Sequence, residues 1–192
     1  CRETPGFSPR VVTFGPDGKR RWGDLEEGHM DMGWVARIGA ERRAVAMSIR
    51  IGKKTCGADG RFHFDRDEFV WDVTTGDRME LPFSVYRTLP VDLNGDGRHE
   101  FARGVPGGDG EILNDAGETL GKVGGTVALA CKLTDDAGEH LLCYYPDGKL
   151  RLWHDADAVD SPEAKERYAG EAYQLNRRQG ANGYNILVLG GL

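Results

Sequence analysis

No apolar run in this chain of 192 residues approaches the roughly 18 that a membrane-crossing helix needs, so nothing in it reads as a membrane span. Its four cysteines include no Cys-x-x-Cys pair, which argues against a zinc site. There is no serine-hydrolase elbow, Walker loop or dinucleotide fingerprint. Basic residues are in deficit: 25 Lys and Arg against 31 Asp and Glu give a net charge of -6. Nucleic acid calls for a basic face, so that class of partner is argued against. The chain opens at Cys1 without an initiator Met or a signal-like stretch and enters a strand pattern at Arg10–Phe14, so a fragment is expected rather than a lipidated terminus. Cys131 and Cys143 flank an acidic turn and are expected to be buried thiols, because cross-strand geometry rarely suits a disulfide.

What the chain has is glycine, 28 residues of it, set mostly between short alternating segments. Many tight connections imply many strands. The densest signal is Asp92-Leu93-Asn94-Gly95-Asp96-Gly97-Arg98-His99-Glu100. Side-chain oxygens recur at every second position, a glycine turns the backbone, and a carboxylate follows. A short loop wraps Ca2+ in this way, because the ion takes six to eight oxygens and favours carboxylates and carbonyls. Asp92, Asn94 and Asp96 would supply side chains, Arg98 its backbone carbonyl, and Glu100 a carboxylate. An EF-hand would need an acid where Arg103 stands, and it would need flanking helices. Here Val85–Leu89 and Phe101–Val105 read as strands, so a strand-to-strand calcium loop is expected. The alternative is an Asx-rich hairpin turn without metal, since Asn-Gly and Asp-Gly are strong hairpin signals.

Internal similarity organises the rest. Phe14-Gly15-Pro16-Asp17-Gly18-Lys19-Arg20-Arg21-Trp22 returns, with one change in spacing, as Tyr145-Pro146-Asp147-Gly148-Lys149-Leu150-Arg151-Leu152-Trp153. Pro-Asp-Gly sets a tight turn, because Pro fixes one dihedral and Gly accepts positive φ. The segment from Leu133 to Leu142 repeats the calcium loop's strand, acidic turn and strand without its spaced oxygens. A period of about 40 to 50 residues is the signature of propeller blades, four-stranded meanders that cannot bury their faces alone. The expected fold is therefore all-β, a calcium-bearing propeller in part, with units at 1–28 (incomplete), 29–82, 83–125 and 126–160. A short helix and tail occupy 161–192, the helix opened by Ser161 as N-cap and Pro162 in its first turn.

Other residue types suit an acidic sugar. His29 and Asp31 alternate along a presumed strand and share a face, which can bind metal or orient a base; a polar strand edge is the alternative. Arg50, Lys53 and Lys54 follow a strand and are either a solvated face or a means of neutralising a uronate. Elimination beside a uronic acid carboxylate needs that charge neutralised and a base to take the adjacent proton. The polar stretch from Tyr173 to Gln179, with Arg177, is either solvated surface or a holder of acidic sugars.

On these residues the chain resembles the rhamnogalacturonan lyases of polysaccharide lyase family 11, in their C-terminal part. The resemblance is carried by the Asp92–Glu100 loop, by Gly28-His29-Met30-Asp31, and by Tyr173-Gln174-Leu175-Asn176 followed by Gly183-Tyr184-Asn185. It implies an eight-bladed propeller, bound calcium, secretion to an extracellular or periplasmic space of a bacterium, and β-elimination of a pectin-like acidic polysaccharide. It further implies a central-face site at His29 and Asp31 and a substrate cleft near Tyr184 and Asn185, while the family's catalytic Arg and Lys align to no particular position here. From the chemistry of elimination, His29, Tyr184 and Lys53 are the catalytic candidates, Arg50, Arg177 and Asn185 the substrate-binding ones, and Asp31 a further metal ligand. The remaining blades of a longer protein would be its structural partner. The chain departs from the family after Asn185, where an apolar run replaces a Gln-Pro-Pro-type sequence. A different class of function, a non-catalytic calcium-binding propeller for glycan binding or adhesion, would carry the same loop merely to stiffen blades.

Overall fold

A computed structural model describes residues 11–25, 28–60, 62–104, 109–180 and 187–188. The chain is mostly β, with several antiparallel sheets and two short helices; the described strands close into no barrel or propeller. β1 (Val11–Phe14) and β2 (Arg20–Asp24) form a separate hairpin. Next come β3 (His29–Ile38), β4 (Arg43–Cys56), β5 (Phe62–Asp72) and β6 (Arg78–Met79), an antiparallel meander. A second meander holds β7 (Thr88–Val91), β8 (Glu100–Arg103), β9 (Glu111–Leu113) and β10 (Thr119–Lys122). A third holds β11 (Thr126–Cys131), β12 (His140–Tyr144) and β13 (Leu150–Trp153). Helices α1 (Pro162–Ala169) and α2 (Glu171–Gly180) follow, and β14 (Leu187–Val188) returns to lie parallel to β3.

Each sheet buries a face against the next element in sequence. Trp34, Met47, Ile49 and Val70 of the first meander pack with Phe101 and Leu113 of the second. Val91 and Ala102 of the second pack with Val127, Leu141 and Cys143 of the third. Cys131 of the third meets Ala164, Tyr168 and Tyr173 of the helices. The buried Trp34 indole donates to Thr88 Oγ1 at 3.1 Å, and its ring lies 5.2 Å from that of Phe101. Tryptophan is thus buried where its N–H has a partner.

The two Pro-Asp-Gly segments adopt one geometry. Gly15 N donates to Lys19 O and Gly18 N to Gly15 O; Tyr145 N donates to Lys149 O and Gly148 N to Tyr145 O. Gly18 and Gly148 sit at φ 73° and 80°, which is why the turn needs glycine there.

Three expectations shift. The strand expected at Val85–Leu89 begins only at Thr88, because Thr88 N and Oγ1 both donate to Val85 O and close a turn through Arg87 at φ 57°. The polar stretch from Tyr173 lies in a second helix: Gln, Arg and Glu are good helix formers, and Tyr173 anchors the helix by burial. Between Met30 and Met32 the register of β3 on β4 slips, so the strict alternation assumed for His29 and Asp31 is interrupted there. Cys131 pairs in register with His140 and Cys143 with Val127, and both are free thiols.

Candidate metal centre

The loop between β7 and β8 is held open by its own amides. Gly97 N donates to Asp92 Oδ2 at 3.0 Å, Asp96 N to Asn94 Oδ1 at 2.9 Å, and Arg98 N to Asp96 Oδ1 at 2.8 Å. Leu93 N donates to Glu100 Oε2 at 2.9 Å and closes the loop. Each acidic side chain spends one oxygen on a backbone amide. Asp92 is fully buried, and its Oδ1 has no hydrogen-bond partner. A buried carboxylate oxygen without a donor is costly, and a hard cation is one remedy. Burial pushes the Glu100 carboxyl up to about 7, with Asp92 and Asp96 adding repulsion. Burial also raises Asp92, against the pull of Arg167.

This donor set fits Ca2+: Asp92 Oδ1, Asn94 Oδ1, the Arg98 carbonyl and Glu100 are all oxygens. One feature opposes immediate loading. Asp96 Oδ2 is engaged by the Arg98 guanidinium, at 2.9 Å from Nε and 2.5 Å from Nη2. Among the described residues no three His, Cys, Asp or Glu side chains converge in a metal-holding group. Arg98 is 43% exposed along its side chain, so it can leave Asp96 for solvent.

Behind the loop stands a clasp. Arg167 of α1, with only 6% of its side chain exposed, donates from Nη2 to Asp92 Oδ2 at 2.7 Å and lies 3.7 Å from Glu139 Oε1. Tyr173 of α2 donates to Glu139 Oε1 at 2.6 Å and accepts from Lys132 N at 2.7 Å. Burial, and then the Arg167 charge, holds His99 down to about 3, so its imidazole is neutral. Its Nδ1 accepts from Arg37 N at 2.9 Å, leaving the proton on Nε2, which is buried without a partner.

These contacts repeat along the chain. Arg37 N donates to His99 Nδ1 while Arg37 O accepts from His99 N. One unit on, Asp92 N donates to Glu139 Oε2 and Asp92 O accepts from Glu139 N, each at 2.7 Å. At the next unit Lys132 N donates to Tyr173 OH, and Lys132 O accepts from Arg177 Nη1 at 3.1 Å. Helix α2 thus takes, with two side chains, the place that the following loop takes at the earlier junctions. The inner bonds recur too: Leu93 N to Glu100 is matched by Leu133 N to His140 Nδ1, and Asp96 N to Asn94 by Asp136 N to Thr134 Oγ1. In this second loop Lys132 holds Asp92's position. Its ammonium donates to Asp136 O at 2.5 Å and Asp160 Oδ2 at 3.0 Å. The loops touch at Gly138 (φ +72°), where a Cβ would lie 2.0 Å from Leu93 O.

The other candidates are placed elsewhere. His29 pairs with Ile51 and Met30 with Arg50, so His29, Arg50 and Lys53 gather at the opposite end of β3 and β4 from Arg37. At about 3.3 Å per residue, His29 and Arg37 lie about 25 Å apart. Arg50 is bound to Asp67, its Nε 2.9 Å from Oδ2, and its guanidinium lies 5.2 Å from the centre of the Phe69 ring. Lys53 is exposed. Arg177 is at the Asp92 end, bonded to Lys132 O. Tyr184 and Asn185, and the side chains of Asp31 and Lys54, lie outside the described residues. Asp92, Asn94, Asp96, Arg98 and Glu100 share one loop; His29, Arg50 and Lys53 are not brought to it.

Sequence reasoning missed the roles of Arg167, Glu139 and His99, and it singled out Tyr173 for a sugar site rather than for its bond to Glu139. The offset that aligns Asp92–Glu100 with 132–140 sets His99 against Glu139, a usable signal for the inter-loop acceptors. Nothing local announces Arg167, which reaches Asp92 from 75 residues away. No family model matches the chain, and no curated protein or solved structure matches it at a significant level.

Proposed function

We propose that the chain is a calcium-binding, β-propeller-type portion of a polysaccharide lyase-like protein acting on a uronic-acid polysaccharide of the rhamnogalacturonan I type. The single observation that carries the calcium part is the buried, unpartnered Asp92 Oδ1 beside Glu100, whose carboxyl is pushed up to about 7. The polysaccharide part is supported by the resemblance in the His29–Asp31, Tyr173–Asn176 and Tyr184–Asn185 motifs. Calcium at this loop is structural: with Arg167 it balances Asp92, Glu139, Asp96 and Glu100 and fixes one sheet on the next. Millimolar extracellular calcium would keep even a weak loop of this kind filled.

Elimination itself would fall to the far end of β3 and β4. A cationic side chain, Arg50 or Lys53, would neutralise the uronate carboxylate. A base, His29 or Tyr184, would take the proton beside it as the glycosidic C–O bond breaks and a carbon–carbon double bond forms. The distance of His29, Arg50 and Lys53 from the Asp92 loop also favours a second reading, a non-catalytic calcium-binding propeller that holds glycan.

Ultraviolet absorbance of an unsaturated uronate, followed with rhamnogalacturonan I in calcium and in chelator, separates the two. A rise that Lys53→Ala and His29→Ala each cut at least tenfold, with melting unchanged, supports the lyase. A folded, calcium-stabilised protein that gives no rise supports the glycan-binding reading.

A further inference from the structure

Helices α1 and α2 rest on little apolar contact. Among the described residues, Ala164, Tyr168 and Tyr173 are the buried apolar side chains of the pair, and they meet Cys131 at the end of β11. Helices of eight and ten residues are marginal without tertiary support, so polar contacts decide how firmly the pair is seated.

Those contacts run to the Asp92 loop. Val159 N donates to Asn94 O at 3.1 Å, and Ser161 N donates to Gly95 O at 2.7 Å. Arg42 bridges the two, donating to Asp96 O at 2.7 Å and lying 3.3 Å from Glu163 of α1. Arg167 holds Asp92 Oδ2, and Tyr173 holds Glu139 Oε1, while the other Glu139 oxygen takes Asp92 N. Between Val159 and Ser161, Asp160 turns the other way. It accepts from Gly138 N at 2.7 Å and from the Lys132 ammonium at 3.0 Å. The entry to α1 is thus laced alternately to the first loop and to the second.

We propose that calcium in the Asp92 loop latches the helix pair onto the third meander, so that without the ion α1 and α2 open locally while the sheets stay folded. The latch rests on the calcium reading above. An ion held by Asp92, Asn94 and the Arg98 carbonyl fixes the peptide units between them, and those units carry the acceptors for Val159 N, Ser161 N and Arg42. Without it, Asp92, Asp96, Glu100 and Glu139 are met at contact distance by Arg98 and Arg167. The ion's two positive charges balance the carboxylates that these arginines leave over, so its repulsion of Arg167 across Asp92 is outweighed. A segment with few buried apolar contacts opens first, which is why the loop governs the helices before it governs the sheets.

The protein's own cysteines report the outcome. Cys56 is exposed, Cys131 lies against the helix pair, and Cys143 is buried between the second and third meanders. Maleimide labelling of the full chain in calcium and in chelator, resolved by peptide mass spectrometry, reads each thiol separately. Cys131 should label about 5- to 150-fold more slowly in calcium, with Cys56 unchanged and Cys143 protected in both. By reciprocity Arg42→Met, which cuts the bridge from Asp96 O to α1, should narrow the Cys131 difference and weaken calcium binding in calorimetry. Calcium binding heat with an unchanged Cys131 rate would overturn the latch and leave the calcium reading intact. Faster Cys131 labelling in calcium, or Cys131 and Cys143 responding together, would overturn it in the same way. No binding heat at all would sink the calcium reading and the latch with it.

Discussion

In the loop between β7 and β8 the first position is Asp92; in the loop between β11 and β12 it is Lys132. The closing acceptor is Glu100 in one and His140 in the other, and each takes the same amide. Both loops receive an amide bond at the third position, from Asp96 to Asn94 and from Asp136 to Thr134. One backbone is thus built twice with opposite charge. The second loop carries its own cation, the Lys132 ammonium, against Asp136 O and Asp160. The first carries carboxylates and an unpartnered Asp92 oxygen. Backbone amides set the scaffold; the second loop carries its cation at the first position, whereas the first loop is met by Arg167 and Arg98 and, on the proposed reading, by a bound ion as well.

The contrast breaks most severely at Arg167. Arg167→Ala leaves Asp92 and Glu139 buried without a cation, and thermal unfolding should show a loss of about 3–5 kcal/mol. A loss within about 1 kcal/mol would mean that the two carboxylates are not held by Arg167.

Close approach of the two loops comes next. Gly138→Ala sets a Cβ against Leu93 O at positive φ and should cost about 3 kcal/mol in denaturant melts. Gly148→Ala, also at positive φ but with nothing within 4 Å of the added carbon, should cost about 1 kcal/mol. Equal costs would show that the loops do not abut.

Glu100 supplies a pH signature. Its folded carboxyl is raised from 4.5 to about 7, so the folded state binds the extra proton. Stability from this group is fully present below pH 4.5 and is lost as pH rises through about 7, on the order of 2–3 kcal/mol. Chelated protein should therefore melt lower at pH 8 than at pH 5. Glu100→Gln should flatten that slope, and calcium should remove it. Asp24, held down to about 2 by Arg78, acts with the opposite sign and only as pH falls below about 4.

The smallest effects separate the Lys132 charge of the second loop from the ion proposed for the first. Lys132→Met should lower melting equally in calcium and in chelator, by about 1 kcal/mol. Asp96→Ala should lower it in calcium and change little in chelator. An equal drop for Asp96→Ala in both would remove it from the ion.

Much of this plan was legible in the chain. Alternation and turn residues announced the strands flanking the Asp92 loop and the paired Pro-Asp-Gly hairpins, because such signals are local in sequence. Ser161 caps α1 as its sequence predicts, accepting from Ala164 N at 3.1 Å. Helix α2 was not foreseen, because a polar stretch reads as loop until a buried Tyr173 and its partner Glu139 are known. The clasp was illegible for the same reason. Arg167, Asp92 and Glu139 come from three separate elements, and only packing brings them together. The split between His29 and the calcium loop follows from the length of β3, whereas the sequence left them free to meet.

Calcium titration by calorimetry, with thermal melts in calcium and in chelator, tests the central claim most directly. About one calcium per chain should bind with a saturable rise in melting temperature, and Asp92→Asn should abolish both. No binding heat and superimposable melts from the folded protein would contradict it, leaving the 92–100 loop a hairpin turn held by Arg98 and Arg167 alone.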